Sequence, residues 1–272
     1  MKFASIPLLV VLSAASAPGA LILTYDAADL SPGSAVGQSW DPTGTGDNAG
    51  FTTGFASGTV AAATGSAYFS QTLSGANTAA NSITSFASLA NNNDFSYELW
   101  IRPADLLGDH NLFETGGATL GTSLTISDNT IQFTVRENGV SNTVSSTLPG
   151  LSAEFIQVLG VVDMGAVNDN TTSDDTLTLY INGAFAGSTT VPLGGTVGAN
   201  AGHFGFNDTN IARPDGFDNP HSNYDGELAL ARFYDTALDS TEVAAIFDAI
   251  PEPSAALLGG LGLLGLLRRR RA

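Results

Sequence analysis

The sequence predicts an all-β fold, a sandwich of two antiparallel sheets with one short C-terminal helix. Three observations predict it. Apolar and polar residues alternate in run after run, the period of a half-buried strand. The turn dipeptides Asp128-Asn129 and Asn182-Gly183 separate such runs at hairpin spacing. Only Val243, Ile246, Phe247 and Ile250 follow the i, i+3, i+4, i+7 spacing of a helix.

Taken in order, the chain opens on Lys2, an apolar run over residues 6–12 and the small residues 13–17. A charged start, a short apolar core and an Ala-x-Ala site at Ala15 and Ala17 predict a signal peptide over residues 1–20. A buried core strand is the alternative. Residues 21–250 then form a single β-rich domain, a size that sandwiches reach as one unit. Residues 31–93 are rich in Gly, Ser, Thr, Ala and Asn, and predict short strands joined by long loops.

The strand signals sharpen beyond that point. Phe95, Tyr97, Leu99 and Ile101 alternate with Ser96, Glu98, Trp100 and Arg102, and Pro103 ends the run. Leu124 and Ile126 lead into the Asp128-Asn129 turn, with Ile131, Phe133 and Val135 returning. Val158, Gly160 and Val162 mark another apolar strand. Leu177, Leu179 and Ile181 precede Asn182-Gly183, with residues 184–188 returning. For the helix, Asp239 or Ser240 supplies a cap, and Glu242 stands three residues after Asp239 as in a capping box.

After the helix come Pro251, Glu252 and Pro253, an uncharged apolar stretch over residues 255–267, and Arg268, Arg269, Arg270 and Arg271. Thirteen helical residues rise about 20 Å, short of a bilayer core. The arginines hold the cytoplasmic side. This order resembles the PEP-CTERM sorting signal of Gram-negative bacteria. The resemblance implies processing by an exosortase-type enzyme, a transient inner-membrane intermediate reached through the tail, and a cell-surface or extracellular-matrix destination. An ordinary tail anchor is the alternative.

Charge excludes whole classes of partner. Nine bases face 26 acids, for a net charge of −17. Between residues 21 and 250 there are 25 acids and four arginines, 4 − 25 = −21, and no lysine. Such a surface repels nucleic acids, which need clustered Lys and Arg, and attracts divalent cations. There is no cysteine, hence no disulfide and no thiolate chemistry.

The segments also occur in an order that resembles the LamG-like, concanavalin A-like jellyroll. Residues 94–103 resemble its opening strand and residues 112–117 the next strand and turn. Residues 155–163 match a strand in which the family carries Trp-His-His where this chain has Phe155, Ile156 and Gln157. Residues 176–183 match its Asn-Gly hairpin, residues 224–235 its closing strand, and residues 238–243 the start of the helix that follows. The resemblance implies the jellyroll fold, in proteins that include glycoside hydrolases and polysaccharide lyases.

Catalytic patterns are missing. A retaining glycosidase needs two carboxylates about 5–5.5 Å apart, and no Glu-x-Asp-x-x-Glu strand supplies them. A lyase needs a basic cluster that this chain cannot build. His110, His203 and His221 show no metal-site spacing. We therefore expect no enzymatic activity. Glu98, Trp100 and Arg102 share one strand face. An exposed Trp beside a carboxylate and a guanidinium makes a sugar platform; the alternative is a covered Trp100 with Glu98 and Arg102 paired. Two acidic loops, carrying Asp169, Asp174 and Asp175 and then Asp208 and Asp225, offer oxygen ligands for Ca²⁺. Solvated loops are the alternative. The function expected is a secreted or surface-displayed domain that binds glycan or an extracellular polysaccharide. The rival is a passive matrix component bridged by Ca²⁺.

Overall fold

A computed structural model describes residues 21–41, 43–44, 53–66, 68–78, 94–116, 121–165, 174–194, 202–203 and 224–250. The strands are β1 (Leu21–Asp26), β2 (Gly33–Ser34), β3 (Ser39–Trp40), β4 (Thr43–Gly44), β5 (Thr53–Ala62), β6 (Gln71–Thr78), β7 (Phe95–Pro103) and β8 (Asp109–Gly116). They continue with β9 (Gly121–Ser127), β10 (Thr130–Glu137), β11 (Val140–Thr147), β12 (Ile156–Asp163), β13 (Asp175–Ile181), β14 (Ala184–Val191), β15 (Gly202–His203) and β16 (Gly226–Tyr234). Helix α1 spans Ser240–Ala249.

The large sheet runs β14-β13-β12-β7-β16-β6-β5-β2, and the small one β11-β10-β9-β8-β15. Every described pairing is antiparallel. Strand β16 shifts register between Leu228 and Leu230. Before the shift it pairs β6 on one side, and after it β1. The alternation then decides the core. Phe95, Tyr97, Leu99 and Ile101 turn inward and meet Phe113, Leu124 and Phe133 of the small sheet. Tyr97 sits edge-on to Phe113 at 5.3 Å and to Phe233 at 5.4 Å, an arrangement aromatic quadrupoles favour. Gly160 lets the sheets close here, because a Cβ would lie 2.7 Å from the Phe133 ring.

Both hairpins named from the sequence form. Asp128 and Asn129 have φ 42° and 65°, and Asn182 and Gly183 have 50° and 73°, the left-handed pairs of a two-residue loop. A third, Asn138-Gly139, joins β10 to β11. The region after residue 31 meets the expectation of short strands in β2, β3 and β4, two residues each, and departs from it beyond them. Strands β5 and β6 are 10 and 8 residues long, not short. Small residues such as Gly, Ala and Ser hide the alternation, but their backbones pair as in any strand.

Helix α1 begins as expected. The Asp239 carboxylate accepts from the Thr241 and Glu242 N–H groups at 2.8 and 2.9 Å, and the Glu242 carboxylate accepts from the Asp239 N–H at 2.9 Å. The helix lies on the outer face of the large sheet. There Val243 and Ile246 bury against Leu159, Val161, Tyr180 and Tyr234.

Candidate functional site

The alternation that sends Tyr97 and Leu99 inward sends Ser96, Glu98, Trp100 and Arg102 to the outer face, on which helix α1 packs. Glu98 is wholly buried. One carboxylate oxygen accepts from Trp100 Nε1 at 2.7 Å and Gln157 Nε2 at 2.8 Å, and the other from the Tyr234 hydroxyl at 2.8 Å. Arg232 Nη1 stands 3.6 Å from the second oxygen. Burial, and then the Glu98 charge, push the Tyr234 hydroxyl above its ordinary range, so it stays a proton donor. Gln157, where the family resemblance places a histidine, also accepts from the Gly183 N–H at 2.9 Å. The hub thus ties the β13–β14 hairpin to β7.

This arrangement corrects the sequence reading in two respects. Glu98 faces no solvent and is a positioning group. Its ionic partner is Arg232, not Arg102, because the β7–β16 register sets Glu98 opposite Arg232 and Arg102 opposite Glu227. Arg102 forms an ion pair with Glu227, donates to the Thr64 and Ala153 carbonyls, and lies 4.9 Å above the Phe155 ring.

Trp100 is only 3% exposed, so it is no open platform. Phe247 stacks on it at 5.6 Å with ring planes 4° apart, and Phe69 abuts it edge-on at 5.4 Å. Its remaining edge forms the floor of an open cavity of about 280 Å³. Tyr68, Phe155, Phe247 and Ile250 supply apolar walls, and Glu154, Asn182 and Asp248 supply polar groups. Helix α1 therefore builds the site as well as covering the hub. Sequence reasoning missed Tyr68, Asn182, Phe247 and Asp248. The signal was Phe247 in the helical stripe, an aromatic at a position where a small apolar residue would have sufficed.

The site can grip a ring face with aromatics and hydroxyls with the amide and carboxylates. A glycosidase acid is a carboxyl sunk in an apolar pocket, whereas Glu154 and Asp248 are both exposed.

The acidic residues divide. Asp175 is wholly buried, and its oxygens accept from the Gly165 N–H at 2.8 Å and the Leu193 N–H at 2.6 Å. It staples the strand ends. Asp174 is half-buried beside it. Burial, with the charges of Asp94 and Asp175, raises the Asp163 carboxyl above the ordinary range. Asp225 lies at the other end of β7, where its carbonyl accepts from the Ala104 N–H at 2.9 Å. Nine strand residues separate these ends by about 30 Å, so Asp175 and Asp225 cannot share one ion. Asp169 and Asp208 lie outside the described residues, as do His221, Pro251, Glu252, Pro253 and Arg268 to Arg271. Among the described residues no three His, Asp or Glu side chains form a group that could hold a metal ion. No described helix is long and apolar enough to cross a membrane.

A family model described as the concanavalin A-like lectin/glucanases superfamily matches residues 74–244. A model of the PEP-CTERM protein-sorting motif matches residues 249–271, which implies exosortase processing and export to the cell surface. No curated protein matches the chain. Among solved structures, the binding domain of Paraclostridial Mosquitocidal Protein 1 is similar at 15% identity and TM-score 0.55, over 85% of this chain and 52% of that one. The botulinum neurotoxin serotype D/C VPI 5993 binding domain is similar at 13% and 0.53, again over 85% and 52%. The binding domain of Botulinum Neurotoxin DC in complex with SialylT gives 13% and 0.54, with the same coverage. The chain spans about half the length of these proteins, and at such identity the likeness shows the fold.

Proposed function

The chain belongs to the concanavalin A-like lectin/glucanases superfamily, and on that premise we propose that it is a non-catalytic, surface-displayed jellyroll that binds glycan or an extracellular matrix polymer. The observation that carries this reading is the cavity of Tyr68, Trp100, Phe155 and Phe247 with Asn182, Glu154 and Asp248 at its rim. Aromatic faces and an amide suit a sugar ring, and two carboxylates disfavour an acidic one. Arg102, which lies over the Phe155 ring, is engaged by Glu227 and two carbonyls. The ligand is accordingly an uncharged saccharide. The toxin binding domains that share the fold support a binding role over a catalytic one.

A glycan array probed with the full chain tests the reading. Neutral glycans are bound, and Tyr68→Ala, which removes one wall, abolishes the signal. Hits confined to sialylated or uronate glycans contradict it.

The PEP-CTERM motif places the site on an exported chain. In a Gram-negative host the tail pauses in the inner membrane, an exosortase-type enzyme cuts near Pro251, Glu252 and Pro253, and Arg268 to Arg271 are lost. Intact mass of surface-recovered protein checks this; a full-length surface form overturns it.

The rival reading is a matrix component bridged by Ca²⁺. The net charge of −17 favours it, since divalent cations relieve the self-repulsion of an acidic surface. Melting in EDTA, then Ca²⁺, then NaCl separates a site from screening.

A further inference from the structure

Two Asn-Gly pairs occur in the chain, and each forms the turn of a hairpin. Asn138-Gly139 joins β10 to β11, and Asn182-Gly183 joins β13 to β14. Their backbones match, with φ of 49° and 79° in the first and 50° and 73° in the second. An Asn-Gly pair carries a reaction of its own. The glycine nitrogen, with no side chain on its own residue to hinder it, can attack the asparagine carboxamide and close a cyclic imide. The rate depends on how freely those two groups meet.

The surroundings of the two pairs differ. Asn182 Oδ1 accepts from the Gln157 N–H at 2.9 Å, and the Gly183 N–H donates to Gln157 Oε1 at 2.9 Å. The carboxamide and the nitrogen that would attack it are thus each tied to Gln157. Gly183 is also packed against helix α1, since a Cβ there would lie 2.8 Å from Phe247 Cβ. Asn138-Gly139 is the reverse. Asn138, Gly139 and Val140 are exposed, and a Cβ on Gly139 would meet nothing within 4 Å. The β10–β11 ladder stops at Glu137 and Val140. Among the described residues nothing bonds the Asn138 carboxamide or the Gly139 N–H.

We propose that Asn138 is a self-modification site, converted in the folded chain to aspartate and isoaspartate, while Gln157 holds the matching pair at Asn182 unreactive. The Gly139 nitrogen gives up its proton to solvent and bonds to Asn138 Cγ. The Cγ–Nδ2 bond breaks, and ammonia leaves with a proton returned from solvent. Water then opens the imide at one of its two carbonyls, so one water is consumed for each ammonia released and nothing is oxidised or reduced. The new carboxylate adjoins Glu137, which accepts from the Gly194 N–H at 2.5 Å, at a cavity of about 160 Å³ that Asn138 lines with Pro192. In the isoaspartate form the side-chain methylene joins the backbone. That lengthens a two-residue loop whose left-handed pair matches the strand twist, so the β10–β11 end loosens. The site needs no ligand and stands apart from the saccharide reading.

Mass spectrometry of the full chain reads the site directly. The protein is incubated at mildly alkaline pH and digested, and the asparagine, aspartate and isoaspartate forms at both positions are followed over time. Short peptides carrying each pair set the rates without the fold, and they convert alike. In the folded chain Asn138 converts and Asn182 lags by about thirtyfold, the delay imposed by two hydrogen bonds that must break before the ring closes. Gln157→Ala frees the Gly183 N–H and keeps the backbone bond to Asn182 Oδ1. It quickens Asn182 about fivefold and leaves Asn138 unchanged. The proposal is overturned if Asn138 stays intact in the folded chain while its peptide converts, or if Asn182 converts as fast as Asn138. An Asn182 rate that Gln157→Ala leaves unchanged overturns the protecting role of Gln157.

Discussion

The outer faces of the two sheets treat buried polar groups in opposite ways. Beneath helix α1, the Glu98 carboxylate is wholly buried, yet Trp100, Gln157 and Tyr234 all donate to it and Arg232 stands close by. On the small sheet, Asn111, Ser123 and Thr125 are as deeply buried, with no partner for their side chains among the described residues. A satisfied hub stabilises a fold and fixes its parts. An unsatisfied row costs stability. One face is thus built to hold the molecule together, and its site opens only at the helix edge.

The two faces should answer oppositely to losing a polar group. Glu98→Ala strands Arg232, Gln157 and Trp100 Nε1 without their acceptor and costs about 3–5 kcal/mol, read as a lower denaturant midpoint. A loss below about 1 kcal/mol would mean that the hub is solvated in solution. Thr125→Val, on the other face, gains about 1 kcal/mol or leaves stability unchanged. Equal losses from both variants would erase the contrast.

The helix that closes the first face is held at its start by Asp239. Asp239→Ala removes the acceptor of two N–H groups and costs about 1 kcal/mol. It should loosen Phe247 from Trp100, visible as greater solvent quenching of Trp100 fluorescence.

The smallest effect concerns pH. The Asp163 carboxyl is raised in the folded state by burial and by Asp94 and Asp175. Its ionised form is therefore the disfavoured one. The resulting destabilisation is absent below the ordinary carboxylate value, about 4, and enters as pH climbs through the raised folded value. Asp163→Asn should flatten that part of the stability profile, by little, because the group is largely exposed. A steeper profile in the variant would reverse the sign.

Much of this was legible in the chain. Alternation in residues 95–101 and 177–181 identified strands and their core faces, Asn182-Gly183 its hairpin, and Asp239 with Glu242 the helix start. What stayed hidden was register. Glu98 and Arg102 are near in sequence, but strand geometry separates them and sets each against a residue on β16 about 130 positions later. The cavity was hidden for the same reason. Tyr68, Asn182 and Phe247 come from three distant segments and meet only after the helix docks. The small-sheet row left a fainter mark. Apart from Glu114 and Arg136, its outward positions are Asn, Ser, Thr and Gln where an ordinary exposed strand carries Lys and Glu, a composition that reads as bland until burial is known.

A neutral saccharide held at the aromatic cavity, as proposed, would be reported by Trp100. Trp40, the other tryptophan, is wholly buried in the core, so ligand at the cavity changes the emission of Trp100 alone. Titrating the full chain with the neutral glycan chosen by the array should give a saturable change in emission that Tyr68→Ala abolishes. Flat emission with a glycan that binds the chain, or the same curve from Tyr68→Ala, would contradict the account.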